Sequence, residues 1–149
     1  MKLNPDCVRD TLLYLEEQLT INCKNNTFEF ITLSQLTDGM LNKHKTKYTE
    51  EDIWYTVYNL KQVHFIEGKI NDAGNHRMMF CDIENITWNG HQFLETIRPD
   101  TIWEATKKKA KQIGGMSISA LSMISSAIMQ GLASNSDFIQ SIVDGLKNM

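Results

Sequence analysis

Between Tyr48 and Leu94 the chain runs from a helical hydrophobic period to two β-like runs and back to a helical one. No other feature limits the available folds as much. Thr49-Glu50-Glu51-Asp52 has the form of a capping box with an acidic first turn, and Ile53, Val57 and Leu60 follow at i, i+4 and i+7. A helix is predicted there, with Tyr55, Tyr58, Asn59 and Gln62 on its outer side and Trp54 at the boundary. Phe65, Ile66 and Ile70, then Met78, Met79 and Phe80, flank Asn71-Asp72-Ala73-Gly74-Asn75, a cluster of turn-forming residues. This pair reads as a β-hairpin. Thr87 can cap a further helix in which Trp88, His91, Phe93, Leu94 and Ile97 carry the bulk, Gly90 allows close packing and Pro99 ends the run. Helix, wing, helix is the resulting order.

The flanks extend that reading. Asn4-Pro5-Asp6 supplies a cap, a proline suited to the first turn and an acid at the positive end of the dipole, before Val8, Leu12, Leu15 and Leu19 at helical spacing. Phe28, Phe30 and Ile31 suggest a short strand able to pair with the wing. Leu33, Leu36 and Leu41 mark a second helix near residues 34 to 40, limited by Gly39. After Asp100, a candidate cap, Trp103 and Ile113 are apolar while Lys107, Lys108, Lys109 and Lys111 form a basic run ending at Gly114-Gly115. Residues 112 to 136 carry no charge, yet Ile118, Leu121, Ile124, Ile128, Met129 and Leu132 gather on one side of a helical wheel. Asn135-Ser136-Asp137 can cap a last helix with Phe138, Ile139, Ile142, Val143 and Leu146 on one face. The expected fold class is α+β, a winged helix-turn-helix domain over residues 1–99 followed by a helical tail over residues 100–149.

The opening Leu3-Asn4-Pro5-Asp6-Cys7-Val8-Arg9-Asp10, the segment from Tyr48 to Phe65-Ile66-Glu67-Gly68, and Ile86-Thr87-Trp88-Asn89-Gly90-His91-Gln92-Phe93-Leu94 leading to Ile97-Arg98 carry a family resemblance. Over about the first two-thirds of its length the chain resembles small, uncharacterised winged-helix proteins of phages and mobile elements of Gram-positive bacteria, similar to the YjcQ-like group. The resemblance implies a fold and a phage or prophage setting. It implies no catalytic or binding residues.

Composition narrows the functional classes. A net charge of −3 and a pI near 5.8 remove the field that a basic nucleic-acid binder would present. Any basic surface must be local. Cys7, Cys23 and Cys81 are odd in number and widely spaced, with no hydrophobic leader, so a reduced cytoplasmic protein is expected. No nucleophile elbow, metalloprotease, phosphate-loop or dinucleotide pattern is present, which argues against catalysis and against a cofactor. His64, His76 and Cys81 lack the paired spacing of structural zinc, so no metal site is expected. His91 is expected to be partly buried, and Trp88 and Trp103 to be core aromatics.

Two functions from different classes compete. A protein partner, such as a host defence or regulatory factor, suits the acidic balance and a surface formed by Tyr55, Tyr58, Asn59 and Gln62. A DNA-binding regulator would use Lys43, Lys45, Lys47, Lys69 and Arg77 for phosphates while Asn59 and Gln62 read bases. Glu50, Glu51 and Asp52 stand against it, because they occupy the helix turn that usually approaches the groove. For the tail, self-association through Ile118, Leu121, Ile124, Ile128, Leu132, Phe138 and Ile142 is preferred over a membrane. Its serines and Gln130 lower the hydrophobicity, and no cations line its polar side.

Overall fold

A computed structural model describes the backbone of residues 1–72 and 78–134, and side chains outside 70–81 and 132–149. The expected turn at Ala73-Gly74-Asn75, together with His76, Arg77 and the last helix around Phe138 and Ile142, lies outside the described residues. The class is α+β, with six helices and two small antiparallel sheets among the described residues. The chain divides into two compact units, Met1–His91 and Gln92–Met149.

In the first unit α1 (Pro5–Gln18) begins at Asn4, whose side chain accepts from the Cys7 amide at 3.3 Å. Its buried side is Cys7, Val8, Thr11, Leu12 and Leu15. Helix α2 (Leu33–His44) starts on a reciprocal Thr32–Gln35 capping box and runs through Gly39, four residues past the end expected at Met40. Gly39 does not stop the helix; it makes room, since a Cβ there would lie 1.8 Å from the Tyr14 hydroxyl of α1. A short 3₁₀ turn (Lys45–Lys47) leads to α3 (Glu50–Gln62), which carries the expected Thr49–Asp52 box. Ile53, Val57 and Leu60 of α3 join Leu33, Leu36 and Met40 of α2 in the core.

The expected strand around Phe28 to Ile31 divides. β2 (Thr27–Glu29) folds back on β1 (Thr20–Asn22) as a separate hairpin, and only β3 (Ile31–Thr32) reaches the sheet formed by β4 (Ile66–Asp72) and β5 (Met78–Ile86). The strand order is β3-β5-β4, with Ile31 opposite Ile83 and Thr32 opposite Asp82. Ile66, Ile83 and Ile86 are buried.

Helix α4 (Trp88–Ile97) shows why the segment Thr87 to His91 has its composition. The Thr87 hydroxyl accepts from the Gly90 amide at 3.0 Å, which caps the helix, and donates to the His64 carbonyl at 2.7 Å. The Thr87 amide donates to the Phe65 carbonyl at 3.0 Å. Gly90 then sits against that same carbonyl, and a Cβ would lie 2.1 Å from it.

The second unit holds α5 (Asp100–Ile113) and α6 (Ile118–Ser134). Asp100 is the first helical residue and makes no cap; the capping position is Pro99, without a side-chain bond. Gly114 ends α5 in the left-handed region at φ 75°, as the lysine-to-glycine pattern suggests. Ile102, Trp103, Ala110, Ile118, Leu121 and Ile128 are buried, and the hydroxyls of Thr96 and Ser125 are 2.8 Å apart, tying α4 to α6.

Candidate functional site: an aromatic face on α3

The outer face of α3 follows from its 3.6-residue period. Glu50, Trp54, Tyr58 and Gln62 recur every four residues and are all exposed, forming one stripe. Trp54 is 40% and Tyr58 45% exposed, large values for aromatic rings on a folded helix. Trp54 is nonetheless held: its indole Nε1 donates to the Thr37 hydroxyl of α2 at 3.1 Å. That hydroxyl in turn donates to the Leu33 carbonyl at 2.7 Å. A ring fixed in this way offers contact area with little further loss of side-chain freedom on binding. Tyr55 and Asn59 lie half-buried beside the stripe, and the Asn59 amide donates back to the Tyr55 carbonyl at 2.7 Å.

The lysines expected to contact phosphates are differently engaged. Lys43 pairs with Glu17 at 2.9 Å and stands 5.9 Å from the Tyr14 ring centroid. Lys47 pairs with Asp10 at 3.0 Å and lies over Tyr48. Both reach toward α1 carboxylates. Lys45 and Lys69 are exposed, and Arg77 lies outside the described side chains.

The Asp10 carboxylate is the hub of this corner. One of its oxygens accepts from the Tyr48 hydroxyl and from Lys47, with His44 Nδ1 at 3.7 Å. Burial, then the bond to Asp10 and its negative charge, push the Tyr48 hydroxyl pKa well above its usual value. Burial likewise raises the Cys7 thiol, which is fully enclosed and therefore unreactive as a thiolate.

Several expected placements require correction. Trp88 is 77% exposed rather than in the core, because it opens α4 with Gly90, two residues on, turned inward. His91 is exposed and not half-buried, although Trp103 is buried as expected. In α6, Ile118, Leu121 and Ile128 are covered by the chain's own packing, Ile124 is half-buried, and the Leu132 side chain, Phe138 and Ile142 lie outside the described residues. Among the described residues of the second unit, the large apolar side chains left outward are Ile113 and Met123. Among the described residues no cluster of three His, Cys, Asp or Glu is placed to hold a metal, and no helix is long and apolar enough to cross a membrane.

Two elements were missed at the level of sequence. The Thr32–Gln35 box was readable, since Thr-x-x-Gln before an apolar run is a helix-start signature. The β1–β2 hairpin was not, because its three-residue strands show no alternation of buried and exposed positions.

An uncharacterized protein of Haemophilus influenzae is 27% identical over 131 residues, covering 87% of this chain and 96% of its own length. No solved structure matches. Residues 2–117, which include all of α1 to α5, match the family described as Hypothetical protein (DUF2513), and the chain belongs to that family.

Proposed function

We propose that the first unit is a winged-helix module that binds a protein partner through the exposed face of α3, without catalysing a reaction. Apart from the inserted β1–β2 hairpin, the order helix, strand, helix, helix, hairpin, with β3 on the outer edge of the second hairpin's β5, supports the winged-helix reading. The observation that carries the partner class is the anchored Trp54–Tyr58 stripe. Glu50 and Glu51 stand at its N-terminal end, and the one cation of α3, Lys61, is turned to the Gly68 carbonyl at 2.9 Å. Aromatic side chains in a rigid setting are the usual energetic centres of protein interfaces. The phage or mobile-element setting enters through the resemblance alone, and a cytoplasmic location through the cysteine pattern alone.

The test is affinity capture from host and phage lysates with the natural chain and with a Trp54→Ala/Tyr58→Ala variant, read by quantitative mass spectrometry. Loss of two anchor residues should weaken a genuine partner by about thirtyfold. Identical capture profiles for the two chains would overturn the reading. A DNA-binding function has one specific point in its favour: Lys45 and Lys69 are exposed and carry no ion pair among the described residues. Duplex retention that falls steeply with added salt would select it instead.

A further inference from the structure

The pairing of β3 with β5 lasts two residues. Before Ile31 the chain leaves the sheet and joins the β1–β2 hairpin, in which Ile21 stands opposite Phe28. Between this hairpin, the end of α1 and β5 lies a solvent-open cleft of about 430 Å³. Leu15, Leu19, Ile21, Phe28 and Ile86 give it apolar walls, while Glu84 supplies a carboxylate. Ile21 and Phe28 remain 62% and 50% exposed, a cross-strand apolar pair facing an open cleft.

The position of Glu84 comes from an irregularity in the strand. Glu67 faces Asn85 and Gly68 faces Ile83, so at this point β5 carries one more residue than its neighbour, and that residue is Glu84. In a regular strand Glu84, Asn85 and Ile86 would alternate between the two faces, yet all three border this cleft. A bulge does this: it breaks the alternation and re-aims a side chain. Gly68 permits it, because a Cβ there would lie 1.8 Å from the Asp82 carbonyl oxygen. The nearby Lys61 ammonium donates to the Gly68 carbonyl at 2.9 Å. Glu84 is left half-buried, and among the described residues its side chain has no hydrogen-bond or ion-pair partner. A carboxylate held beside apolar walls loses hydration that a cation would restore.

We propose that this cleft docks a segment of a partner protein in which a large apolar side chain stands next to lysine or arginine. The apolar group enters between the Ile21–Phe28 pair and the Leu15–Ile86 wall, and the cation meets Glu84. Its volume lies within the range of ligand sites, and its open side lets a chain continue beyond the anchored residue. Glu16 at the rim adds charge of the same sign. The site is separate in residues from the α3 face and does not rest on it.

The experiment is amide chemical-shift mapping of the full-length protein with three end-capped tripeptides at millimolar concentration: Lys-Phe-Lys, Lys-Ala-Lys and Glu-Phe-Glu. Lys-Phe-Lys should shift Ile21, Phe28, Glu84 and Ile86, and the other two should leave them in place. Glu84→Gln, nearly equal in shape, should weaken the Lys-Phe-Lys response about fivefold. Added salt should weaken it in the natural protein, which reads the same charge should the variant fold poorly. No shift, an equal response to Glu-Phe-Glu, shifts confined to other surfaces, or indifference to both Glu84→Gln and salt would each overturn the proposal.

Discussion

Tyr48 joins α1 to the corner before α3 through one hydroxyl. It is buried, and its partner Asp10 also receives Lys47, so the hydroxyl that Tyr48 donates is held at a carboxylate already paired with an ammonium. A tyrosine whose pKa is raised on folding keeps its stabilising effect below the ordinary value of 10.0 and loses it as pH rises, since the unfolded chain ionises there while the folded one resists. Cys7, also raised by burial, adds to the same alkaline loss. Tyr48→Phe should therefore cost about 1.5–3 kcal/mol at neutral pH, the worth of a hydrogen bond to a charged group. It should also flatten the decline in stability above pH 10.0. Urea denaturation at several pH values measures both; a slope unchanged by the substitution would mean that Tyr48 does not govern the alkaline limb. None of this corner was legible in the sequence beyond a cluster of lysines, because the paired carboxylates lie on a helix distant in the chain.

At the scale of elements, helix starts were the most readable features. Asn4, the Thr49–Asp52 box and Thr87 each place an oxygen on amides that a helix leaves unbonded, a local requirement that a sequence exposes directly. Glycines were only half readable. Gly39 looked like a helix limit and instead admits Tyr14, and Gly90 looked like a close-packing residue and is one. Gly90→Ala should destabilise the protein by at least about 2 kcal/mol, because the new methyl group meets the Phe65 backbone carbonyl, which cannot rotate aside. A thermal melt of that variant within a degree of the natural protein would refute the contact. Register was not readable at all. Nothing local marks Glu84 as an inserted residue, since the bulge exists only relative to Glu67 and Gly68 on the neighbouring strand.

For the whole molecule, the apolar tail invites a reading as a self-association surface, and the packing redistributes its residues. Ile118, Leu121 and Ile128 are already enclosed, whereas Ile113 and Met123 remain outward, Met123 at 74%. The self-association expected from the sequence would then have to use Ile113 and Met123. Light scattering should give a mass above 17.1 kDa for the natural chain and a lower one for Ile113→Lys/Met123→Lys. A natural chain that stays monomeric at high micromolar concentration would overturn the expectation of self-association. Periodicity in the tail was legible because it is a property of one helix; which side faces its own chain was not, because that depends on α5 and α4.

The brevity of β3 has a consequence for motion. Ile31 and Thr32 meet β5 only after the chain has passed through α2 and α3, so their pairing closes a long loop for two residue pairs, while β4 and β5 are joined by a short connection. Such an edge opens at lower free energy than the rest of the sheet. Amide protons at Ile31 and Thr32 should then exchange with solvent through local fraying, well before the hairpin beside them gives way.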